Sequence, residues 1–160
     1  MSDVEIFSAE VCPYAQRTRM VLVEKGVDFT LREVDLANKP DWFLEVSPYS
    51  KVPVIRHQGR VVYESAIINE YLDEVYPEPP MMPEEPGARA TVRVWIDFMN
   101  IKLLPCFYRL MMAQELEKQA QEAETLTAHF RLIETAVRAE SASPYLFGDK
   151  QSLADISLYP

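Results

Sequence analysis

Two cysteines occur in the chain, Cys12 and Cys106, and they stand in different company. Cys12 begins the run Cys12-Pro13-Tyr14-Ala15. It follows a short stretch with strand character, Val4 to Ser8, and opens a segment, Pro13 to Lys25, with Ala15, Met20, Val21 and Val23 at helical spacing. A helix starts with backbone N–H groups that have no partner within the helix, and its aligned peptide dipoles add partial positive charge there. Both favour a thiolate over a thiol. A free thiol, with a pKa of about 8.5, is only a few per cent ionised at pH 7, so a thiol at a helix start is expected to be the better supplied nucleophile. Cys12 is the candidate nucleophile. Cys106 lies among Leu103, Leu104, Phe107 and Tyr108 and reads as a packing residue.

Dithiol redox motifs carry a second cysteine three positions on, where this chain has Ala15. The site is therefore a monothiol, and a mixed disulfide on Cys12 must be resolved by an external thiol, most simply the glutathione of the cytoplasm. The two cysteines are too few for a disulfide framework and too far apart for a metal-binding pair. His57 and His129 are lone, without the partner spacing of a metal site or a triad, and are expected at the surface or in a hairpin. No metal is expected.

The chain that must position this thiol has 160 residues, 48% apolar and 26% charged, enough for a core and unlike a disordered tail. No apolar run approaches the roughly 18 residues of a spanning helix. The acidic start, Met1-Ser2-Asp3-Val4-Glu5, is unlike a basic targeting signal, which leads to the expectation of a cytoplasmic protein. The net charge of −9 argues against a nucleic-acid groove, because phosphate binding needs a basic face.

Five prolines in ten residues, Pro77 to Pro86, mark the sharpest boundary, since neither a helix nor a central strand accommodates them. They separate a domain at 1–76 from one at 87–160. Residues 1–76 hold 8 basic and 13 acidic residues, so most of the acidity sits before the boundary. After Val4–Ser8 and the first helix, with Gly26 as its cap, Phe29 to Asp35 alternates with period two as a second strand. Asp41 to Val46 reads as a short helix. Pro53–His57 and Arg60–Tyr63 flank Gln58-Gly59 as a hairpin, and Ser65 to Tyr76 carries Ile67, Ile68, Tyr71, Leu72 and Val75 at helical spacing. The order is β-α-β-α-β-β-α, a mixed four-stranded sheet, because the first crossover is parallel and the last pair antiparallel.

The second half reads as all-helical. Ala88 to about Gln121 is one long run with a kink or break expected at Pro105, and Glu124 to Glu140 is a second helix. Ser141 to Asp149 reads as a loop. Ser152 and Asp155 form a capping box that opens a further helix. That helix reaches Pro160 within two turns, so an incomplete helical domain is expected.

The ordered set Val11-Cys12-Pro13-Tyr14-Ala15-Gln16-Arg17, Lys51-Val52-Pro53, Tyr63-Glu64-Ser65 and Ser152 with Asp155 resembles the glutathione S-transferase superfamily, nearest to its cysteine-type omega class. The match is collinear from Val4 to the end of the chain. It implies an α/β thioredoxin-like glutathione domain followed by an all-α domain that supplies a second-substrate pocket. Pro53 resembles the family's cis-proline, which turns the backbone of Val52 toward an extended peptide ligand. Ser65 is a natural N-cap, and the helix end it begins can hold a carboxylate. The family assigns that place to the γ-glutamyl carboxylate of glutathione, with Glu64 near the ligand's ammonium. Lys39 and Lys51 are candidates for the glycyl end. Ser47-Pro48-Tyr49-Ser50 departs from the Asn-Pro and glycine that family members often have, which bears on the shape of that loop. Tyr14, Trp95, Phe98, Tyr108, Met111 and Met112 are large enough to line the second pocket, whereas Arg17 is left to anchor the first helix.

The resemblance implies glutathione as co-substrate, a small electrophile or glutathionylated second substrate, and a homodimer to which Tyr49 or Val61-Val62 contribute. The activity implied is thiol transfer, dehydroascorbate reduction or removal of glutathionyl groups, using the Cys12 thiolate. A binding role is the competing expectation. Tyr63-Glu64-Ser65, the helix after it and the proline-rich linker are also similar to the bacterial stringent-starvation proteins, which associate with RNA polymerase but generally lack such a cysteine. The intracellular chloride-channel relatives share the Cys-Pro start, but Pro13 to Lys25 is too charged for membrane entry.

Overall fold

A computed structural model of the chain describes residues 3–140 and 143–159. It divides into two compact units with the boundary between Met82 and Pro83. The first contains β1 (Val4–Ser8), α1 (Pro13–Glu24), β2 (Phe29–Glu33), α2 (Asp41–Val46), β3 (Val54–His57), β4 (Arg60–Tyr63) and α3 (Ser65–Val75). The strands lie in the order β2-β1-β3-β4. β1 runs parallel to β2 and antiparallel to β3, and β3 is antiparallel to β4, so the sheet is mixed as expected.

Cross-strand partners share a face, and successive residues alternate between faces. Phe7 and Val54 are partners and pack into one cluster with Phe43 of α2, Ala15 and Val52. Ile6 and Ile55 are partners one residue along and face the other way, fully buried. α1 and α3 contribute Val21, Leu22, Ile68 and Leu72 to the core, and a buried hydrogen bond of 2.9 Å from Thr18 Oγ1 to Asn69 Oδ1 joins the two helices. β2 is an edge strand and mostly exposed, so its alternation reports pairing with β1 more than burial. It also ends at Glu33, before Val34, which is buried.

Local signals explain the boundaries. Gln58 and Gly59, with φ of 49° and 79°, make the tight hairpin with both central residues left-handed. Gly26, at φ 62°, ends α1, and Val27 N–H closes on the Leu22 carbonyl at 3.0 Å.

The proline-rich segment is pinned rather than loose at its start. Lys25, whose side chain is fully buried, donates from Nζ to Asp73 Oδ1 and to the Pro79 carbonyl, each at 2.5 Å. Met81 N–H donates to the same Asp73 oxygen at 2.8 Å.

The second unit contains α4 (Pro86–Phe98), a π-helical segment (Met99–Leu103), α5 (Leu104–Met112), α6 (Leu116–Glu140) and α7 (Leu153–Leu158). This corrects the expectation of one run to Gln121 broken at Pro105. A proline lacks an N–H and crowds the carbonyl four residues back. Here the wider π turn takes up that misfit: Leu104 N–H bonds the Met99 carbonyl, and Pro105 enters α5 in its first turn. The true break falls at residues 113–115, which hold neither glycine nor proline, and α6 starts well before Glu124. The capping box forms as expected: Asp155 Oδ2 accepts from Ser152 N–H and Oγ–H, both at 2.7 Å, and Ser152 Oγ accepts from Ala154 N–H. Of the loop expected at 141–149, residues 141 and 142 lie outside the described residues. No helix among the described residues is long and apolar enough to cross a membrane.

Candidate active site

Cys12 is the N-cap of α1, in extended conformation with φ −91° and ψ 113°, and Pro13 occupies the first helical position. Its carbonyl accepts the first helical bond, from Gln16 N–H at 2.9 Å, and its own N–H donates to the Ala9 carbonyl at 3.0 Å. The thiol is partly buried and donates to the Val52 carbonyl at 3.9 Å. That carbonyl belongs to the peptide bond before Pro53, which is cis as the resemblance implied.

Tyr14 sits one position further into α1, with the Arg17 guanidinium over its ring at 5.2 Å. Burial, the largest influence, raises the pKa of its hydroxyl. Arg17 opposes the rise, while Cys12 and Glu64 add to it. Cys12, Tyr14 and Glu64 are thus electrostatic neighbours.

Glu64 adopts φ 68° and ψ 114°, a conformation that L-residues avoid. It is Glu64, not Ser65, that occupies the N-cap position of α3. Ser65 is the first helical residue and is buried, which corrects the expectation of a Ser65 N-cap. The reason lies in the left-handed turn at Glu64, whose carbonyl already accepts the first helical bond from Ile68 N–H at 2.8 Å.

The loop with the unusual Ser47-Pro48-Tyr49-Ser50 sequence is held by Ser47. Its buried hydroxyl donates to the Lys51 carbonyl at 2.9 Å and accepts from Lys51 N–H at 3.0 Å. The Lys51 side chain is exposed and Lys39 is half-buried. Among the described residues, no hydrogen bond or ion pair links either ammonium to Cys12, Glu64 or Ser65.

The remaining pocket candidates belong to the second unit. Trp95 stacks on Phe147 at 5.6 Å and meets Phe98 edge-on at 5.4 Å, and both pack against the Met99, Leu103 and Ile133 cluster. They serve the helical core. Tyr108, Met111 and Met112 lie exposed on α5.

Cys106 is buried, and its thiol donates to the Glu122 carbonyl and carboxylate at 3.5 and 3.4 Å. Burial and the Glu122 charge push this thiol's pKa up, which keeps it protonated. His57 lies in the hairpin, at the end of β3, and not at the surface: it is 3% exposed, with Nδ1 2.7 Å from the Tyr71 hydroxyl and Nε2 3.2 Å from that of Tyr76.

One residue near Cys12 escaped the sequence reading. Arg19 lies seven positions after Cys12, two helical turns along the same face, and reaches back to the loop before it. That spacing was the available signal.

The sheet order, the monothiol at the start of α1 and the cis-proline opposite it define a thioredoxin-like thiol domain with a helical unit after it. The family model for the glutathione S-transferase N-terminal domain matches residues 11–75. Mouse glutathione S-transferase omega-1 is 34% identical over 159 residues, which is 99% of this chain and 65% of the relative. Among solved structures, glutathione transferase Omega 3C from Trametes versicolor is 35% identical with a TM-score of 0.89, covering 99% of this chain and 71% of that one. A rice glutathione S-transferase in complex with glutathione is 32% identical, also with a TM-score of 0.89, covering 98% and 73%. The chain belongs to the glutathione S-transferase family. It spans about 65% of the length of the omega-1 relatives it matches.

Proposed function

We propose that the chain acts in glutathione-dependent thiol transfer with Cys12 as the nucleophile. The observation that carries this is the partly buried Cys12 thiol at the start of α1, beside the carbonyl of the cis Val52-Pro53 bond. The thiolate attacks a glutathionylated substrate at its glutathionyl sulfur, forms a Cys12–glutathione disulfide and expels the substrate thiolate. A second glutathione thiolate then attacks the mixed disulfide, which releases oxidised glutathione and restores Cys12. In dehydroascorbate reduction two glutathione thiols are oxidised to the disulfide by way of the same Cys12–glutathione disulfide, and their two electrons and two protons convert dehydroascorbate to ascorbate.

Glutathione would lie extended along Val52, its γ-glutamyl carboxylate at the start of α3 by Ser65 and its ammonium by Glu64. Lys39 and Lys51 have the charge to meet its glycyl carboxylate. Tyr14 would border the second substrate. The reaction suits the cytoplasm, where glutathione is kept reduced. A homodimer is supported by exposed apolar groups at one sheet edge: Tyr49 rests edge-on against Tyr63 at 5.0 Å, next to Val61 of the edge strand β4.

The test is release of glutathione from a glutathionylated peptide by wild type and Cys12→Ala. Loss of at least a hundredfold in Cys12→Ala is expected; undiminished turnover would overturn the proposal. Failure to bind immobilised glutathione, together with retention of RNA polymerase, would favour the binding role instead.

A further inference from the structure

The residues just before Cys12 are held by a side chain from the helix that Cys12 begins. Arg19 Nη1 donates to the Ser8 hydroxyl and, at 3.1 Å, to the Ala9 carbonyl, while Nη2 donates to the Glu10 carbonyl at 3.3 Å. The Ala9 carbonyl also accepts Cys12 N–H at 3.0 Å. Glu33 Oε1 takes Glu10 N–H at 2.5 Å. Val11, between these anchors and the thiol, is 84% exposed, while Ala9 is buried in the apolar cluster that Cys12 packs against. The segment thus combines an apolar anchor with polar contacts, three of which come from one guanidinium.

From this geometry we infer that Arg19 is a positioning residue for Cys12, bracing residues Ser8 to Glu10 against α1 so that the thiol stays at the helix end beside the Val52 carbonyl. The role rests on Cys12 being the nucleophile. A planar fork with several N–H donors can hold two successive carbonyls and a hydroxyl at once, with charge-assisted bonds. An ammonium on a flexible stem keeps the charge but cannot reproduce the fork. Without it the Ala9 and Glu10 carbonyls turn to water, the acceptor of Cys12 N–H loses its second anchor, and the thiol leaves the field of the helix end for part of the time.

The experiment follows alkylation of Cys12 in the full chain by iodoacetamide, resolved at the peptide level by mass spectrometry, for wild type, Arg19→Gln and Arg19→Lys. Thermal unfolding of each variant verifies that it is folded, and Arg19→Lys carries the test should Arg19→Gln not fold. Both variants are expected to react about fivefold or more slowly than wild type near pH 6.5 and to approach it near pH 9.5, where a thiol is ionised in any surroundings. A wild-type profile in Arg19→Gln, an equal loss at both pH values, or full recovery in Arg19→Lys would overturn the brace. Thiol transfer is measured in parallel with Cys12→Ala. Undiminished transfer there overturns the nucleophile and the positioning role with it, whereas its loss alongside an unchanged Arg19→Gln profile overturns the brace alone.

Discussion

The Cys12 thiol and the Val52 carbonyl, 40 residues apart in the chain, meet at 3.9 Å. The other thiol, Cys106, meets Glu122 instead, buried and held protonated. The two cysteines should therefore differ in reactivity by far more than their shared chemistry suggests. Under native conditions iodoacetamide is expected to label Cys12 at least about a hundredfold faster than Cys106, with the difference vanishing in denaturant. Peptide-level mass spectrometry reads both rates in one sample.

Glu64 trades stability for position. A non-glycine residue held at φ 68° costs of order 1–3 kcal/mol. Glu64→Gly should stabilise the fold by about 1 kcal/mol, net of the greater freedom of glycine in the unfolded chain. Removal of the carboxylate should weaken glutathione binding by about tenfold. Urea unfolding and calorimetric titration check the two effects, which are expected to run in opposite directions.

The Lys25–Asp73 pair lies in the core side of the first unit, with the Lys25 side chain fully buried. Asp73→Leu leaves that ammonium with only the Pro79 carbonyl and should cost about 3–5 kcal/mol. The double variant Lys25→Met/Asp73→Leu should recover at least half of the loss, because no charge remains to be buried unpaired. Midpoints of urea unfolding decide this.

Glu85 caps α4 by accepting Gly87 N–H at 2.8 Å and Ala88 N–H at 2.6 Å, and these two bonds hold its carboxyl below the usual pKa of 4.5. A depressed folded value means the cap stabilises above the unfolded pKa and that its contribution is lost as pH falls through the folded one. Glu85→Gln should therefore lower the melting temperature at pH 7 and converge with wild type near pH 3. Gly87 belongs to the same device, since a Cβ there would lie 2.9 Å from Glu85 Oε2.

Much of the first unit was legible because its signals are short-range. The apolar alternation of β1, the Gln58-Gly59 turn and Gly26 at the end of α1 each depend on a few neighbouring residues. The second unit was harder. Pro105 is a helix breaker by chemistry, yet the π segment before it absorbs the misfit, while the real break at 113–115 carries no breaker and follows the packing of α5 against α6. His57 looked lone because its partners, Tyr71 and Tyr76, stand 14 and 19 residues away. The fold of β3 onto α3 brings them together.

By itself the sequence determined that a single thiol begins a helix after a strand, that two halves of different character meet at a proline-rich segment, and that Ser152 and Asp155 cap a helix. Each follows from residue type and near-neighbour spacing, through which backbone geometry acts directly. Only the tertiary structure decided that the Val52 carbonyl lies against Cys12, that the Arg19 fork closes on residues 8–10, and that Lys25 is sealed against Asp73, 48 residues away. Carbonyls, arginines and lysines occur throughout the chain. Which of them become partners depends on the path of the sheet and its helices, since burial makes a hydrogen-bonding partner obligatory and chain topology limits the choice.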